Sequence, residues 1–274
     1  MNSDTDQDST EHESPESGHH PETEMTERNP RRGIYLLPNM ITTAGLFAGF
    51  YAIVAAMGMR FEAAAIAIFV AMVTDGIDGR VARLTRTQSE FGVQYDSLSD
   101  MVCFGLAPAL VMYEWSLHSM ISIGWAKLGW LSAFIYTAGA ALRLARFNAQ
   151  IATAEKRYFK GLPSPSAAAV LAGLVWVGAD LGIEGDNVVY LAFVLTILMG
   201  ALMVSNLRYY SFKEVDFKNR VPFVALLMVV VAYVFASLDP PKVLFAGFLI
   251  YAFSGPVLTL IRVRRRRGER RKES

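Results

Sequence analysis

The chain has one cysteine in 274 residues, Cys103, so no disulfide can form within it. Flanked by Val102 and Phe104, that cysteine is expected as a buried packing residue. Histidine is nearly as scarce: His12, His19 and His20 lie near the start and only His118 lies beyond them. Three histidines in a polar tail are read as solvated, not as metal ligands. The first 27 residues hold nine acids and no Lys or Arg. A secretory leader in that stretch is excluded, since it needs basic residues and an apolar core. Residues 1–30 also carry too little apolar surface to order themselves. Charge is sparse elsewhere. Charged residues make up 19% of the chain against 53% hydrophobic, which argues against a soluble globular protein.

Long apolar runs take the place of charge. Eight segments stand out, at 34–59, 61–82, 97–117, 125–148, 165–183, 187–205, 221–237 and 241–261. The basic residues test that count, because Lys and Arg gather on the cytoplasmic side of membrane proteins. Both tails and every second connection hold 23 of the 26 Lys and Arg residues. Only Arg60, Lys127 and Lys242 fall on the other side. The expected fold is therefore all-α, a polytopic membrane protein of about eight transmembrane helices with both termini in the cytoplasm. Trp115, Trp125, Trp130 and Trp176 fall near the opposite ends of their segments, as an interfacial belt predicts. Three regions follow: an acidic tail over 1–32, a transmembrane catalytic domain over 33–262, and a basic cytoplasmic tail over 263–274. The last, containing RRRRGERRK, is expected at anionic lipid headgroups; nucleic acid is not an expected partner. Gly45 and Gly49 form a GxxxG pair that permits close helix contact.

Into this apolar setting residues 75–100, DGIDGRVARLTRTQSEFGVQYDSLSD, bring four carboxylates. Asp75 and Asp78 are three apart and Asp96 and Asp100 four apart, spacings that put each pair on one helical face. At about 100° per residue, Gly79 lies roughly 40° from Asp75 and Ala82 nearly in line with it. Arg83 stands about 80° away. One face thus offers two acids, two positions with little or no side chain, and an arginine able to pair with phosphate. On the next helix Gly92 precedes Asp96 and Asp100 by steps of four. Oxygen-rich clusters suit Mg²⁺ or Mn²⁺, and acids with a metal and an arginine suit phosphoryl-group chemistry. Structural Asp–Arg pairs, or a proton or cation pathway as in a coupled transporter, also place acids in membranes. Neither needs the glycine spacing.

The stretch resembles the signature of the CDP-alcohol phosphatidyltransferases, D-x-x-D-G-x-x-A-R-x8-G-x-x-x-D-x-x-x-D. All eight fixed positions are met, by Asp75, Asp78, Gly79, Ala82, Arg83, Gly92, Asp96 and Asp100. The resemblance implies that Asp75, Asp78, Asp96 and Asp100 surround one or two Mg²⁺ or Mn²⁺ ions, with Asp100 as general base. It implies that Gly79, Arg83 and Gly92 bind CDP-diacylglycerol, and that Asn39 and Thr42 of LPNMITT close over the nucleotide. It also implies a homodimer.

Two further stretches, ALRLARFN (141–148) and KGLPSPSAA (160–168), resemble the integral-membrane bacterial phosphatidylserine synthases of that family. L-serine is then the expected acceptor, met by Arg143 and Arg146 and by Ser164 or Ser166 at a helix start that favours anions. Ser164 or Ser166 is also expected to cap that helix. Glycerol 3-phosphate or an inositol phosphate stays open as acceptor, because Arg143, Arg146, Arg157 and Lys160 would suit one. The expected location is the bacterial inner membrane, with the site at its cytoplasmic face and membrane lipids around it.

Overall fold

The computed structural model describes residues 36–85, 89–122, 124–150, 158–210, 234 and 237–270. The first two helices, α1 (Leu36–Met57) and α2 (Phe61–Thr85), form a hairpin. They turn through Met59, whose φ of 60° places it in the left-handed region. The hairpin packs closely because the facing side chains are small. Ala48, Ala52, Ala55 and Ala56 of α1 and Ala64, Ala65, Ala67 and Ala71 of α2 are all buried.

The third apolar segment folds as one continuous helical run: α3 (Glu90–Asp100), a π-helical turn over Met101–Leu106, and α4 (Ala107–Trp115). It starts earlier than the apolar run at 97 suggests, because Ser89 caps it. The Ser89 hydroxyl oxygen accepts the Gly92 N–H at 3.0 Å. Then come α5 (Ala126–Gln150), α6 (Ser164–Asp180), α7 (Val189–Val204) and α8 (Pro240–Arg270). The expected helices are therefore present for every segment except 221–237, which lies mostly outside the described residues.

Among the described residues, four helical stretches can cross a membrane by length and composition: Leu37–Met57, Ala126–Ala149, Gly185–Val204 and Pro240–Thr259. α6 is apolar but 17 residues long. α2 is long enough, and carries the charges of the central stretch. α8 continues unbroken to Arg270, about 46 Å at 1.5 Å per residue, longer than the ~30 Å hydrocarbon layer. The expected boundary near 263 is therefore no break in the helix.

One small ladder departs from the all-helical expectation. β1 (Tyr158–Lys160) pairs antiparallel with β2 (Arg208–Tyr210), with Phe159 opposite Tyr209. It ties the segment before α6 to the segment after α7. Gly161 follows it with φ of 85°, its N–H donating to the Leu207 carbonyl at 2.8 Å. A Cβ there would lie 2.3 Å from the Met203 carbonyl oxygen, so only glycine fits.

Tyr209 then reaches into the core. Its ring is fully buried against Gly255, and its hydroxyl donates to the Ala252 carbonyl at 2.9 Å. That carbonyl sits four residues before Pro256, which has no N–H to offer it. A side chain from another element thus replaces the backbone donor that proline lacks.

The tryptophans divide. Trp125 and Trp130 are exposed, as a belt requires. Trp115 is not: it is buried, and its ring occupies the space a side chain at Gly178 would need. Trp176 is half-buried and packs on Phe69, ring centroids 5.6 Å apart. The expectation for Trp115 is corrected because a glycine on α6 opens a slot for the ring. Cys103 is buried as expected, its thiol donating to the Gly45 carbonyl at 3.3 Å.

Candidate active site

The site forms where α1, α2 and α3 meet. Pro38, Thr42, Gly45 and Gly49 recur along one face of α1 at steps of four, three and four. Gly45 admits the Thr74 hydroxyl of α2, and Gly49 admits Cys103 of the π turn. The GxxxG pair therefore closes a contact inside the chain, and it brings Asp75 and Asp78 against α3.

Asp78 is buried, and the Thr42 hydroxyl donates to its Oδ2 at 2.8 Å. The same hydroxyl lies 3.1 Å from the Pro38 carbonyl, so its one proton is shared. Ser99 in turn donates to the Thr42 carbonyl at 3.4 Å. Carboxylate oxygens of Asp75, Asp78 and Asp96 all lie within 4.8 Å of one another. Oxygens around one Mg²⁺ at about 2.1 Å lie roughly 3.0–4.2 Å apart, so small rotamer changes bring all three onto a single ion. Asp100 does not share that triangle, but it lines the same cavity and shares a hydrogen bond with Asp75. A set of hard oxygen donors in an apolar setting fits a divalent cation, and one of its members arrives already oriented by Thr42.

The signature's other residues separate into two groups. Gly92 lies beside Asn39, whose Oδ1 would be 3.3 Å from a Cβ there, so the start of α1 does cover the start of α3. Among the described residues, no atom lies within 4 Å of a Cβ added at Gly79. Arg83 is exposed beyond it. Thr42, expected at the nucleotide, donates its hydroxyl to Asp78.

The two outer stretches also separate. Arg143 of α5 donates from Nη1 to the Ser164 hydroxyl at 2.6 Å, and Asp100, Tyr136 and Tyr251 lie around its guanidinium. Its Nε is buried and has no hydrogen-bond partner among the described residues. Arg146 turns aside to the Asn206 side-chain oxygen at 3.3 Å. Ser166 is buried in α6. The capping expectation for the two serines is corrected: Pro163 occupies the cap position with no side-chain hydrogen bond, and Ser164 meets Arg143. Fixed φ at Pro163 and Pro165 suits the first turn without a cap.

Three participants escaped the reading of the sequence. Asn148 donates to the Ser97 hydroxyl at 3.1 Å, joining the end of α5 to α3 between the two acids. Ser99 supports Thr42, as described above. Tyr136 is fully buried, and its hydroxyl donates to the Phe104 carbonyl in the π turn. Signals existed for two of them: Asn148 closes the stretch ALRLARFN, and Tyr136 lies seven residues before Arg143, on the same face of α5.

The arrangement is one acidic cavity with an arginine at its edge and an open glycine face beside it. The profile of the CDP-alcohol phosphatidyltransferases matches residues 35–198. The chain belongs to the CDP-alcohol phosphatidyltransferase family. This phosphatidyltransferase is similar to the CDP-diacylglycerol–serine O-phosphatidyltransferase of Helicobacter pylori J99, at 32% identity over 234 residues covering 85% of this chain and 96% of that one. The protein of the same name from Mycobacterium bovis is 40% identical over 176 residues, 61% of this chain and 59% of that one. A third, from Methanocaldococcus jannaschii, is 36% identical over 142 residues, 52% of this chain and 61% of that one.

Proposed function

We propose that this protein transfers the phosphatidyl group of CDP-diacylglycerol to the hydroxyl of L-serine, giving phosphatidylserine and CMP. The observation that carries this reading is the position of Asp100. It lines the cavity of Asp75, Asp78 and Asp96, shares a hydrogen bond with Asp75, and interacts electrostatically with the half-buried Arg143. The name shared by the three relatives supports serine as acceptor.

In this reading the serine carboxylate meets Arg143, whose Nε N–H has no partner among the described residues, while its Nη1 is held by Ser164. Asp100 accepts the serine hydroxyl proton. The serine oxygen bonds to the phosphorus bearing diacylglycerol, and that phosphorus releases the bridging oxygen to CMP. Gly79 leaves room for the CDP group, and Arg83 balances charge on the departing CMP. Asp75, Asp78 and Asp96, together with Asp100, would hold a Mg²⁺ or Mn²⁺ ion, which would supply charge neutralisation for the pyrophosphate. Gly92 and Asn39 close the other wall, and Arg146 and Ser166 support the acceptor pocket from behind. The segregation of Lys and Arg supports placing this end of the bundle, and both termini, on the cytoplasmic side of a bacterial inner membrane. The region limits at 1–32, 33–262 and 263–274 and a homodimeric assembly complete the reading.

The test is an acceptor panel with purified full-length protein, CDP-diacylglycerol, and Mg²⁺ or Mn²⁺. CMP release with L-serine and phosphatidylserine formation are the expected result. Release with glycerol 3-phosphate or an inositol phosphate but not with serine would reject the acceptor. Cation flux in liposomes lacking CDP-diacylglycerol would instead favour a transporter. Asp100→Asn should reduce turnover to near background while retaining donor binding, and near-normal turnover would remove it as the base.

A further inference from the structure

Directly after Asp100 the chain leaves α-helical register. Met101–Leu106 is a π-helical turn, closed by the Ala107 N–H on the Val102 carbonyl five residues back. A single π turn introduces one residue of extra winding, about 100° in the relation between the helices before and after it. That rotation decides which way Asp100 faces relative to α4 and the core that α4 anchors.

Pro108 follows at the start of α4. In α-helical register its N–H would reach four residues back to the Phe104 carbonyl, and proline has none. The Tyr136 hydroxyl donates to that carbonyl at 2.9 Å. The Thr137 hydroxyl, one residue on, approaches the Gly105 carbonyl at 3.3 Å. The pairing of a proline gap with a buried tyrosine recurs at Pro256, Ala252 and Tyr209. Two turns beyond Tyr136 on the same face of α5, Arg143 lies beside Asp100.

We infer that Tyr136 is a positioning residue for the transfer reaction: through the Phe104 carbonyl it holds the π turn that aims Asp100 at Arg143 and Asp75. This rests on Asp100 acting as the base. Tyr136 touches no substrate in this scheme. Its contribution is to turnover, not to binding of either reactant.

The test uses the full chain in detergent with CDP-diacylglycerol and L-serine. Tyr136→Phe keeps the ring and removes only the donor. It should lower kcat roughly tenfold, the scale of one buried hydrogen bond, with KM for both substrates within about twofold of the parent. Pro108→Ala restores a backbone N–H opposite Phe104. Adding it to Tyr136→Phe should return kcat to within about threefold of the parent. A Tyr136→Phe kcat within twofold of the parent overturns the inference, as does a double variant whose loss is the product of the two single losses. Should Tyr136→Phe alone fail to fold, the double variant decides: folded and active supports the inference, folded and inactive or unfolded makes Tyr136 a packing residue only. Asp100→Asn measured in parallel separates the premises. Full turnover there removes the base assignment, whereas loss there with an unaffected Tyr136→Phe removes the positioning role alone.

Discussion

Thr42→Val removes one hydroxyl and almost no volume, so it isolates the hydrogen bond from Thr42 to Asp78. That bond is 2.8 Å long and its acceptor is a buried carboxylate oxygen. Hydrogen bonds to charged groups contribute about 1.5–3 kcal/mol. Here the proton is shared with the Pro38 carbonyl at 3.1 Å, which places the value at the lower end, about 1.5 kcal/mol. Such an energy is roughly a tenfold change in an equilibrium constant, and losing an outer partner of a metal ligand typically weakens metal binding by ~10–100-fold. The expected result is therefore a roughly tenfold rise in the Mn²⁺ concentration giving half-maximal CMP release, with kcat at saturating metal reduced far less. Thr42→Ser, which keeps the donor, should stay close to the parent. A direct Mn²⁺ titration by electron paramagnetic resonance, without substrates, separates metal binding from nucleotide binding. If half-saturation by Mn²⁺ stays within twofold of the parent in both measurements, Asp78 is not oriented for a metal by α1. A loss of CDP-diacylglycerol affinity at unchanged metal affinity would return Thr42 to the nucleotide.

Three further substitutions probe other parts of the site. Gly79→Leu fills a surface where no atom of the described residues lies within 4 Å of the new Cβ, so folding should be unaffected while KM for CDP-diacylglycerol rises at least tenfold; unaltered donor affinity in a binding assay would put the nucleotide elsewhere. Arg143→Gln should raise KM for serine by roughly 10–100-fold with donor affinity nearly unchanged, read from initial rates at saturating CDP-diacylglycerol, and an unchanged KM would leave Arg143 a structural cation. Gly49→Leu sets a Cβ 2.7 Å from the Cys103 thiol and 3.0 Å from its Cα, so overpacking of about 1–3 kcal/mol or more should lower the thermal midpoint in detergent; an unshifted midpoint would show that α1 and the π turn are not tightly packed.

What could be read in the sequence was what periodicity and charge record. Apolar runs located α1, α2, α5, α6 and α7 to within three residues at each end, because burial in lipid or protein demands an apolar face either way. The acids of residues 75–100 were legible for the opposite reason: carboxylates in such surroundings require compensation, and their three- and four-residue spacing names the face they share. The start of α3 was misjudged because Ser89–Gln94 is polar, and hydropathy does not register a helix cap. Trp115 was misplaced because its burial depends on Gly178, a residue 63 positions away whose only contribution is the absence of a side chain. The division between Arg143 and Arg146 was equally invisible. Both sit at one end of α5, and only the position of α6 makes one a partner of Ser164 and leaves the other facing Asn206.

The same limit explains why the π turn could not be foreseen, and why it matters. Met101–Leu106 is an apolar run whose composition fits an α-helix as well as a π turn. Pro108 announces a missing donor, but nothing in the sequence names what replaces it. Asp96 and Asp100 at a spacing of four lie on one face of α3, yet Asp96 joins Asp75 and Asp78 while Asp100 meets Asp75 and approaches Arg143. Two acids on one helix therefore take different partners, and the break in register lies immediately beyond the second. A regular α-helix through 100–108 would keep the signature intact and rotate Asp100 with respect to α4 by about one residue's angle. The spacing of the acids thus accounts for the triangle of Asp75, Asp78 and Asp96, and the direction of Asp100 follows from a residue outside the signature, Tyr136, which donates to the carbonyl that Pro108 cannot serve.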